Sequence, residues 1–540
     1  MVDSDRTERF PVNWDDPADA ELSWNQDMMH HPDTRTPLGF ELYNEPSSRG
    51  RGVLMTEQNT PTQTRSVLVN YYMFGCQQSQ SPAPSGATPS WSEQLAEMSS
   101  QADRWFNDLL PEVQRMAGYY RDTDFDALPD AELVTELEQL RKMRIQQGRM
   151  HSLATAPGGS ATNQLVDTYN ELMGEDELGA VRLVQGHGNK SAEAGVAMWR
   201  LGNLARSIPV VRDNITQVSA DNALDRLEEL KGDPKAKPFI DALGLYLEEF
   251  GWRTDLLGFD DPTWVEDPTT PICPLRFYLE MEDYGPAEET RRLVQERDSA
   301  IEAVRKRLGQ AEWERLEAIL KVATMAAPIQ EDHNHYIDQR LTLLTRRLVL
   351  AAARRLVSKG ALVEPADVFY LYLDEIRSAM SGNGSSMKAL AGRRMGERAC
   401  WSKITPPPFI GAPPSGHNPN IRFFGQSRLP SHQATTLSGT SASAGVARGP
   451  ARVMMSLSQA DELKKGDILI ARTTMPPWPP LFAVAGAIVV ETGGILSHAA
   501  VTAREYGIPA VMGIAGATRT IRDGQLLEVD GTEGTVRLLP

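Results

Sequence analysis

The sequence predicts an α+β multidomain protein: a mostly helical body followed by a compact α/β unit. Three observations predict it. Apolar residues recur at helical spacing through much of residues 1–400. Short β-branched runs alternate with glycine turns and one helix over residues 436–540. A proline-rich stretch, residues 401–435, lies between them. The length of 540 residues allows about three or four domains, or two large ones. A chain that is 41% hydrophobic and 24% charged has enough apolar material for a substantial core, which argues against overall disorder.

Charge and special segments narrow the class. The net charge is −17, from 55 basic and 72 acidic residues, and disfavours nucleic acid or an anionic membrane as a general partner. The best apolar run, residues 481–490, is too short to cross a bilayer, which takes about 20 residues. The opening MVDSDRTERF has the features of neither a secretory signal nor a transit peptide. Cys76, Cys273 and Cys400 are too scattered for a disulfide framework or a CxxC metal site. A reduced, cytoplasmic protein is expected.

The elements follow in order. Residues 66–72 (SVLVNYY) alternate as a strand and predict a small sheet or extended lid near the N-terminus. Residues 77–91 and 155–163 are rich in Pro, Gly, Ser and Gln and predict long loops. Helical patterns cover residues 95–110, 130–147, 192–207, 223–230 and 286–308. Residues 328–358 predict one more helix, opened by Pro328 and closed before Gly360, with Ile337, Leu341, Leu344 and Leu348 on its apolar stripe. The first domain is therefore residues 1–400. Residues 401–435 carry seven prolines and read as a semi-rigid connector, or else as an irregular loop packed on the first body. Residues 436–540 hold nine basic and nine acidic residues, so all the excess negative charge precedes them. Strands are expected at 451–454, 467–471, 486–490 and 509–511, a helix at 498–506, and a closing hairpin at 526–529 and 535–538.

The chemistry gathers around His498. Residues 491–512 read ETGGILSHAAVTAREYGIPAVM: a buried strand, a Gly493-Gly494 turn, then a helix starting at Ser497-His498. The glycines permit unusual backbone angles and close approach. The first helical turn offers unpaired N–H groups and the positive end of the dipole, a natural phosphate site. A neutral imidazole there is placed to attack phosphorus and divide one phosphoryl transfer into two. The plain alternative is a buried histidine held by structural hydrogen bonds.

The run GGILSHAAVTAREYGIPAV resembles the phosphohistidine segment of the mobile domain in phosphoenolpyruvate-utilising and related dikinase-type enzymes. The runs GTSASAGVARGPARV, ARTTMPPWPPLF and DGQLLEVDGTEGTVRLL support the likeness across residues 436–540. The resemblance implies that His498 carries the phosphoryl group and that Thr492, Gly493, Gly494, Ser497 and Arg504 orient or neutralise it. Thr473 and Thr474 read equally as phosphate contacts or as turn residues. Met475 departs from the family, which often has an acidic residue there, so no metal or proton role is expected at that position.

The front body shows no G-x-x-x-x-G-K-[ST] loop and no barrel alternation. It resembles the acceptor-binding part of rifampin phosphotransferases and of phenylphosphate-synthase-like subunits, the latter through WDDPADAELSWNQDMMHHPDTRTPL. That likeness implies a separate ATP-grasp partner subunit that uses ATP and Mg2+ to charge His498, and a small apolar hydroxyl acceptor of the phenol type. The alternative is a non-catalytic binding or regulatory protein that keeps the domain for docking. For the acceptor site, Glu331, His335 and Asp338 stand at i, i+4 and i+7 and are expected to share one helix face, with His333 near the apolar stripe. A carboxylate beside a histidine suits a general base, whereas a solvated ion-pair face is the plain reading. His187, between glycines before a helix, reads as an anion ligand or a helix cap. His30 and His31 read as surface residues, and Arg346, Arg347, Arg354 and Arg355 as helix-end charges in surface pairs. No metal site is expected, since His333 and His335 at i, i+2 face apart.

Overall fold

The structure, a computed structural model, describes residues 10–27, 30–57, 62–79, 90–174, 176–255, 258–280, 285–383, 387–413, 422, 435–474 and 478–539. It is an α+β multidomain protein with two sheets and a large helical body.

The first sheet is small. Strands β1 (Ser23–Gln26), β2 (Thr62–Val69), β3 (Tyr72–Ser79) and β4 (Phe409–Gly411) run in the order β2-β3-β1-β4, all antiparallel. The hairpin β2–β3 turns at Asn70-Tyr71, both with positive φ, as a two-residue turn matched to strand twist requires. Strand β4 comes from the proline-rich stretch expected to be a connector. That stretch therefore adds an edge strand to the first body, where Ile410 joins Trp24, Phe74 and Phe10 in a small apolar cluster. Most of the remaining stretch, 414–421 and 423–434, lies outside the described residues.

The helical body is organised by one long helix, Asp130–Met173. Residues 155–163, expected as a loop, are part of it. Leu153, Ala154, Ala161 and Leu165 on either side of the Pro-Gly-Gly are buried in the main core, and that packing outweighs the local propensity. The helix Glu45–Glu57 crosses it at a glycine pair. A Cβ on Gly50 would lie 2.3 Å from Arg149 N, and one on Gly148 would lie 2.6 Å from Pro46 O, so the two backbones touch.

Residues 328–358 are continuous but not uniformly α-helical. An α-turn, Ile329–His333, passes into π-helix over Asn334–Leu341 and returns to α over Thr342–Ser358. The π stretch re-registers everything after His333.

The second sheet has eight strands: β5 (Thr436–Ser438), β6 (Thr440–Ser443), β7 (Val446–Met454), β8 (Ile468–Ala471), β9 (Ala487–Val490), β10 (Ala510–Met512), β11 (Leu526–Asp530) and β12 (Thr535–Leu538). Their order is β5-β12-β11-β7-β8-β9-β10-β6, with β7, β8, β9 and β10 parallel. Residues alternate between two buried faces: Ile468, Ile470, Ala487 and Val489 on one side, Leu469, Ala471, Ile488 and Val490 on the other. The second face shares its core with Met198, Leu201 and Phe239 of the helical body. Among the described residues, no helix is long and apolar enough to cross a membrane.

Candidate active site at the junction of the two bodies

His498 opens the helix His498–Glu505, which crosses from β9 to the parallel strand β10. The site thus stands outside the carboxyl ends of parallel strands, where crossover loops leave room for a ligand. Gly493 has φ +95°, the left-handed angle that lets the loop turn back from the strand. The loop then drives Ile495 and Leu496 into the core of the helical body, while Ala499, Ala500 and Ala503 pack in the core that contains Ala194 and Met198. This loop and helix therefore fix where the imidazole meets the front body.

The imidazole meets Glu331. His498 Nδ1 lies 2.6 Å from Glu331 Oε2, and the same oxygen accepts a hydrogen bond from Ser191 Oγ at 3.0 Å. The Glu331 side chain is 4% exposed and that of His498 17%, so the pair is shielded while the ring keeps an edge toward solvent. With a proton on Nδ1 shared with the carboxylate, Nε2 keeps its lone pair. That nitrogen is buried and has no hydrogen-bond partner among the described residues. Glu331 stands where the helix Ile329–His333 begins. Ser191 stands in the first turn of the helix Lys190–Ser207, capped by Asn189, whose Oδ1 accepts from Ala192 N at 2.9 Å. Asp332 stitches the two helix starts together by accepting from Lys190 N at 2.8 Å. Burial raises the Asp332 carboxyl to about 6, and the charges of Glu193 and Glu331 add to the shift.

The other predicted residues of this helix find partners elsewhere. The π stretch is the reason: Glu331, His335 and Asp338 do not act as one face. His335 is buried, with Arg253 Nη2 3.4 Å from its Nδ1 and Glu249 Oε1 3.8 Å from its Nε2. Burial, and then the Arg253 charge, hold this ring well below the ordinary imidazole range. Asp338 accepts from His151 Nδ1 at 2.8 Å, and His333 Nδ1 binds its own helix at Ile329 O, 2.8 Å away. The expected carboxylate–histidine pair exists, but its histidine is His498 rather than His335. Lys190 Nζ reaches Glu193 and Glu249 and lies over the ring of Tyr336, 5.7 Å from its centroid.

The predicted phosphoryl-binding residues are distributed as follows. Thr492 Oγ1 donates to Arg472 O at 3.2 Å, and Ser497 Oγ to Gly494 O at 2.8 Å. Both hydroxyls brace the backbone of the loops around His498. Thr474 is buried, with its Oγ1 unpartnered among the described residues; Thr473 is half-buried, and Met475 lies outside the described residues. Arg504 donates to Ala442 O and Ile495 O, each at 2.8 Å, and so ties the helix to β6 and to the His498 loop. Burial lowers its guanidinium to about 10, against the pull of Glu505 and Glu331. His187 lies against Arg297, 3.4 Å from each ring nitrogen, and burial lowers its protonation, helped by that neighbour. Its loop nevertheless serves the junction, for Gly186 N donates to Glu505 at 2.9 Å.

Two surface expectations are corrected. His31 is buried at 6% exposure, beside Arg35 and Tyr43, and His30 pairs with Asp27 at 3.0 Å. The N-terminal segment is packed inward, and its Asp33 reaches Arg472 of the second unit at 3.0 Å. Arg346 is likewise buried, held by Glu266 and Phe259 O over the ring of Phe369. With Trp252, Leu343 and Arg347 it lines a cleft of about 210 Å³ that includes neither His498 nor Glu331. Sequence reasoning missed Ser191, Lys190 and His151. For Ser191 the signal was the Asn189 cap; for His151 there was none, since its partner is 187 positions away.

Two family models match the chain. Residues 463–534 match the mobile domain of PEP-utilising enzymes, and residues 151–331 match the fourth domain of rifampicin phosphotransferase. His498 therefore stands in a mobile domain of the phosphoenolpyruvate-utilising enzymes. The rifampicin-phosphotransferase match ends on Glu331, so the two matched regions contribute the two halves of the 2.6 Å pair. Among curated proteins, the chain is 32% identical to a chondramide synthase of Chondromyces crocatus over 98% of its own length and 14% of that protein's. It is 30% identical to the rifampicin phosphotransferase of Streptomyces sviceus, covering 77% of this chain and 46% of the relative. It is 31% identical to the prodigiosin synthesizing transferase PigC of Serratia marcescens, covering 58% and 35%. The chain spans about half the length, or less, of these relatives.

Proposed function

We propose that this chain is the carrier and acceptor part of a dikinase-type phosphotransferase. His498 Nε2 receives a phosphoryl group and passes it to the hydroxyl of a small apolar, phenolic acceptor. One observation carries the reading: the Glu331 carboxylate 2.6 Å from His498 Nδ1. A proton held on Nδ1 leaves Nε2 as the nucleophile, and the carboxylate offsets the positive charge that the ring gains when Nε2 becomes bonded to phosphorus. Ser191 Oγ donates to the same carboxylate oxygen and holds it in place.

In the first half-reaction an N–P bond forms at Nε2 to the β-phosphorus; both phosphoanhydride linkages of ATP break, one on phosphoryl transfer and one by attack of water, and AMP and phosphate leave. In the second, the acceptor oxygen attacks phosphorus, the N–P electron pair returns to Nε2, and the hydroxyl proton leaves to a base. ATP with Mg2+ is the donor in this proposal. An ATP-grasp module outside this sequence holds it, as a separate subunit or as another part of a longer polypeptide. The overall change is ATP plus acceptor plus water to AMP, phosphate and phosphorylated acceptor. Nε2 is covered where the domain now packs, so loading requires the mobile domain to lift from Glu331 and return.

The test is to incubate the chain with an ATP-grasp module and ATP labelled at the β or the γ phosphate. Acid-labile label from the β position should appear on His498 and be absent from His498→Ala, and a phenol should discharge it. A labelled His498→Ala protein would exclude the mechanism. A charged His498 that no hydroxyl compound discharges would favour a docking or regulatory role instead.

A further inference from the structure

We propose that His151, His333 and Asp338 bind one divalent first-row transition-metal ion such as Zn2+, Mn2+, Co2+ or Fe2+. The three side chains converge from the long helix, the end of the turn Ile329–His333 and the π stretch, and one donor atom from each lies within 4.8 Å of the others. His151 Nδ1 is 2.8 and 3.0 Å from the two Asp338 oxygens, and His333 Nε2 is 3.6 Å from Oδ2. Donors bound at about 2.0–2.2 Å to a common ion stand roughly 3–3.5 Å apart, so these spacings need little change.

The chemistry of His333 points the same way. Its Nδ1 lies 2.8 Å from Ile329 O, which can only accept, so Nδ1 carries the proton. A neutral ring then turns the Nε2 lone pair toward a carboxylate oxygen beyond hydrogen-bond reach. Two electron-pair donors facing each other are what a cation reconciles. A backbone carbonyl behind the imidazole is also the outer support that metal-bound histidines generally have. The π-helix makes the pair possible, because its i to i+5 repeat brings residues 333 and 338 together where an α-helix would not.

The donor set selects the class of ion. Two imidazoles and one carboxylate suit borderline first-row metals, whereas Mg2+ and Ca2+ take oxygen ligands. Three protein ligands leave coordination positions open. His151 is 36% exposed, against 10% for His333 and 15% for Asp338, which gives an ion a way in. The neighbouring cation, Arg144, is already engaged by Leu42 O, Thr342 Oγ1 and Gln147. For His151 to ligate through Nδ1, its proton moves to Nε2, and no oxidant or reductant is required. This site uses no member of the His498–Glu331–Ser191 group.

The full chain, stripped with chelator, should bind one equivalent of Co2+ with visible d–d absorption. Zn2+ should displace it, and Mg2+ at the same concentration should not. Zn2+ should also raise the thermal midpoint. Asp338→Asn, His333→Gln and the more exposed His151→Gln should each weaken Co2+ binding at least about tenfold, with far-UV dichroism and cooperative unfolding retained. Absence of cobalt bands together with no Zn2+-induced rise would overturn the site, as would full-strength binding in His151→Gln and Asp338→Asn. None of these readouts needs phosphoryl transfer, so failure here leaves the His498 reading untouched, and failure there leaves this one.

Discussion

The mobile domain and the helical body build their polar centres in opposite ways. In the mobile domain, the loop turn, the helix start and the imidazole all come from residues 491–505, between two adjacent parallel strands. In the helical body, neighbours in space come from distant parts of the chain. Glu331 pairs with Ser191 across 140 positions, and Asp338 with His151 across 187. A locally built centre survives if its βαβ unit folds. A centre built from three segments remote in sequence exists only if the whole body packs, so its members are exposed to packing errors that the imidazole escapes. The 2.6 Å contact between His498 and Glu331 joins one centre of each kind, and variants at that junction separate the two.

The largest effect is expected from Glu331→Gln. The amide keeps the size but not the charge, so it neither holds the Nδ1 proton as firmly nor offsets the ring's charge. Phosphoryl turnover should fall by about 10²–10⁴-fold, while His335→Gln, whose ring meets Arg253 and Glu249, should change it by less than about tenfold. Equal losses in a rapid-quench assay of phosphohistidine discharge would show that the two residues act as one unit after all.

Ile495→Ala comes next. Ile495 is 1% exposed, carried by the mobile domain but buried in the helical body's core. Truncation should weaken the seating of the domain by about 2–5 kcal/mol, read as faster hydrogen exchange over residues 491–505 with the body's own protection retained. Protection that falls everywhere at once would mean that the two regions unfold as one.

Gly50→Ala tests the body alone. A Cβ there meets backbone atoms of Ile145, Gly148 and Arg149 at 2.3–2.5 Å, which a side-chain rotation cannot relieve. A loss of about 1–3 kcal/mol is expected in denaturant unfolding, while acid-labile labelling of His498 stays intact in protein that remains folded. An unchanged midpoint would mean that the two helices separate easily.

These contrasts explain what could be read in advance. Six of the eight strands of the second sheet were legible, because their apolar runs are short, their glycines mark turns, and the function-bearing loop is contiguous; β5 and β6, short and rich in Ser and Thr, were not. Glu331 was legible as an acidic residue on a helix beside histidines, but its partner was not, since helical spacing pointed to His335. The π stretch was invisible to a 3.6-residue period and moved Asp338 onto His151. Residues 155–163 looked like a loop because Pro-Gly-Gly punctuates locally, and only the burial of the flanking apolar residues holds them in a helix. His31 and Arg346 looked exposed because polarity alone was visible and their buried partners were not.

The smallest expected effect lies at Asp332, and its sign distinguishes electrostatics from hydrogen bonding at the junction. Its carboxyl accepts from Lys190 N, yet burial first, then the charges of Glu193 and Glu331, raise it from an ordinary 3.8 to about 6. An acid whose folded value is raised favours the folded state while protonated. That contribution is fully present below about 3.8 and is lost as pH rises through about 6. Asp332→Asn keeps an oxygen for the Lys190 N–H and removes the charge. It should therefore be more stable than the parent by about 1 kcal/mol at pH 7, with the advantage disappearing as pH falls from 6 to 4. Paired urea titrations at pH 7 and pH 4 would measure this difference of differences, in which titrating groups that do not interact with Asp332 cancel. A variant less stable at pH 7 would mean that the charged hydrogen bond to the start of the Lys190 helix outweighs burial of the charge and repulsion from Glu193 and Glu331. The carboxylate that holds His498 would then stand beside a second acidic group favoured for its charge.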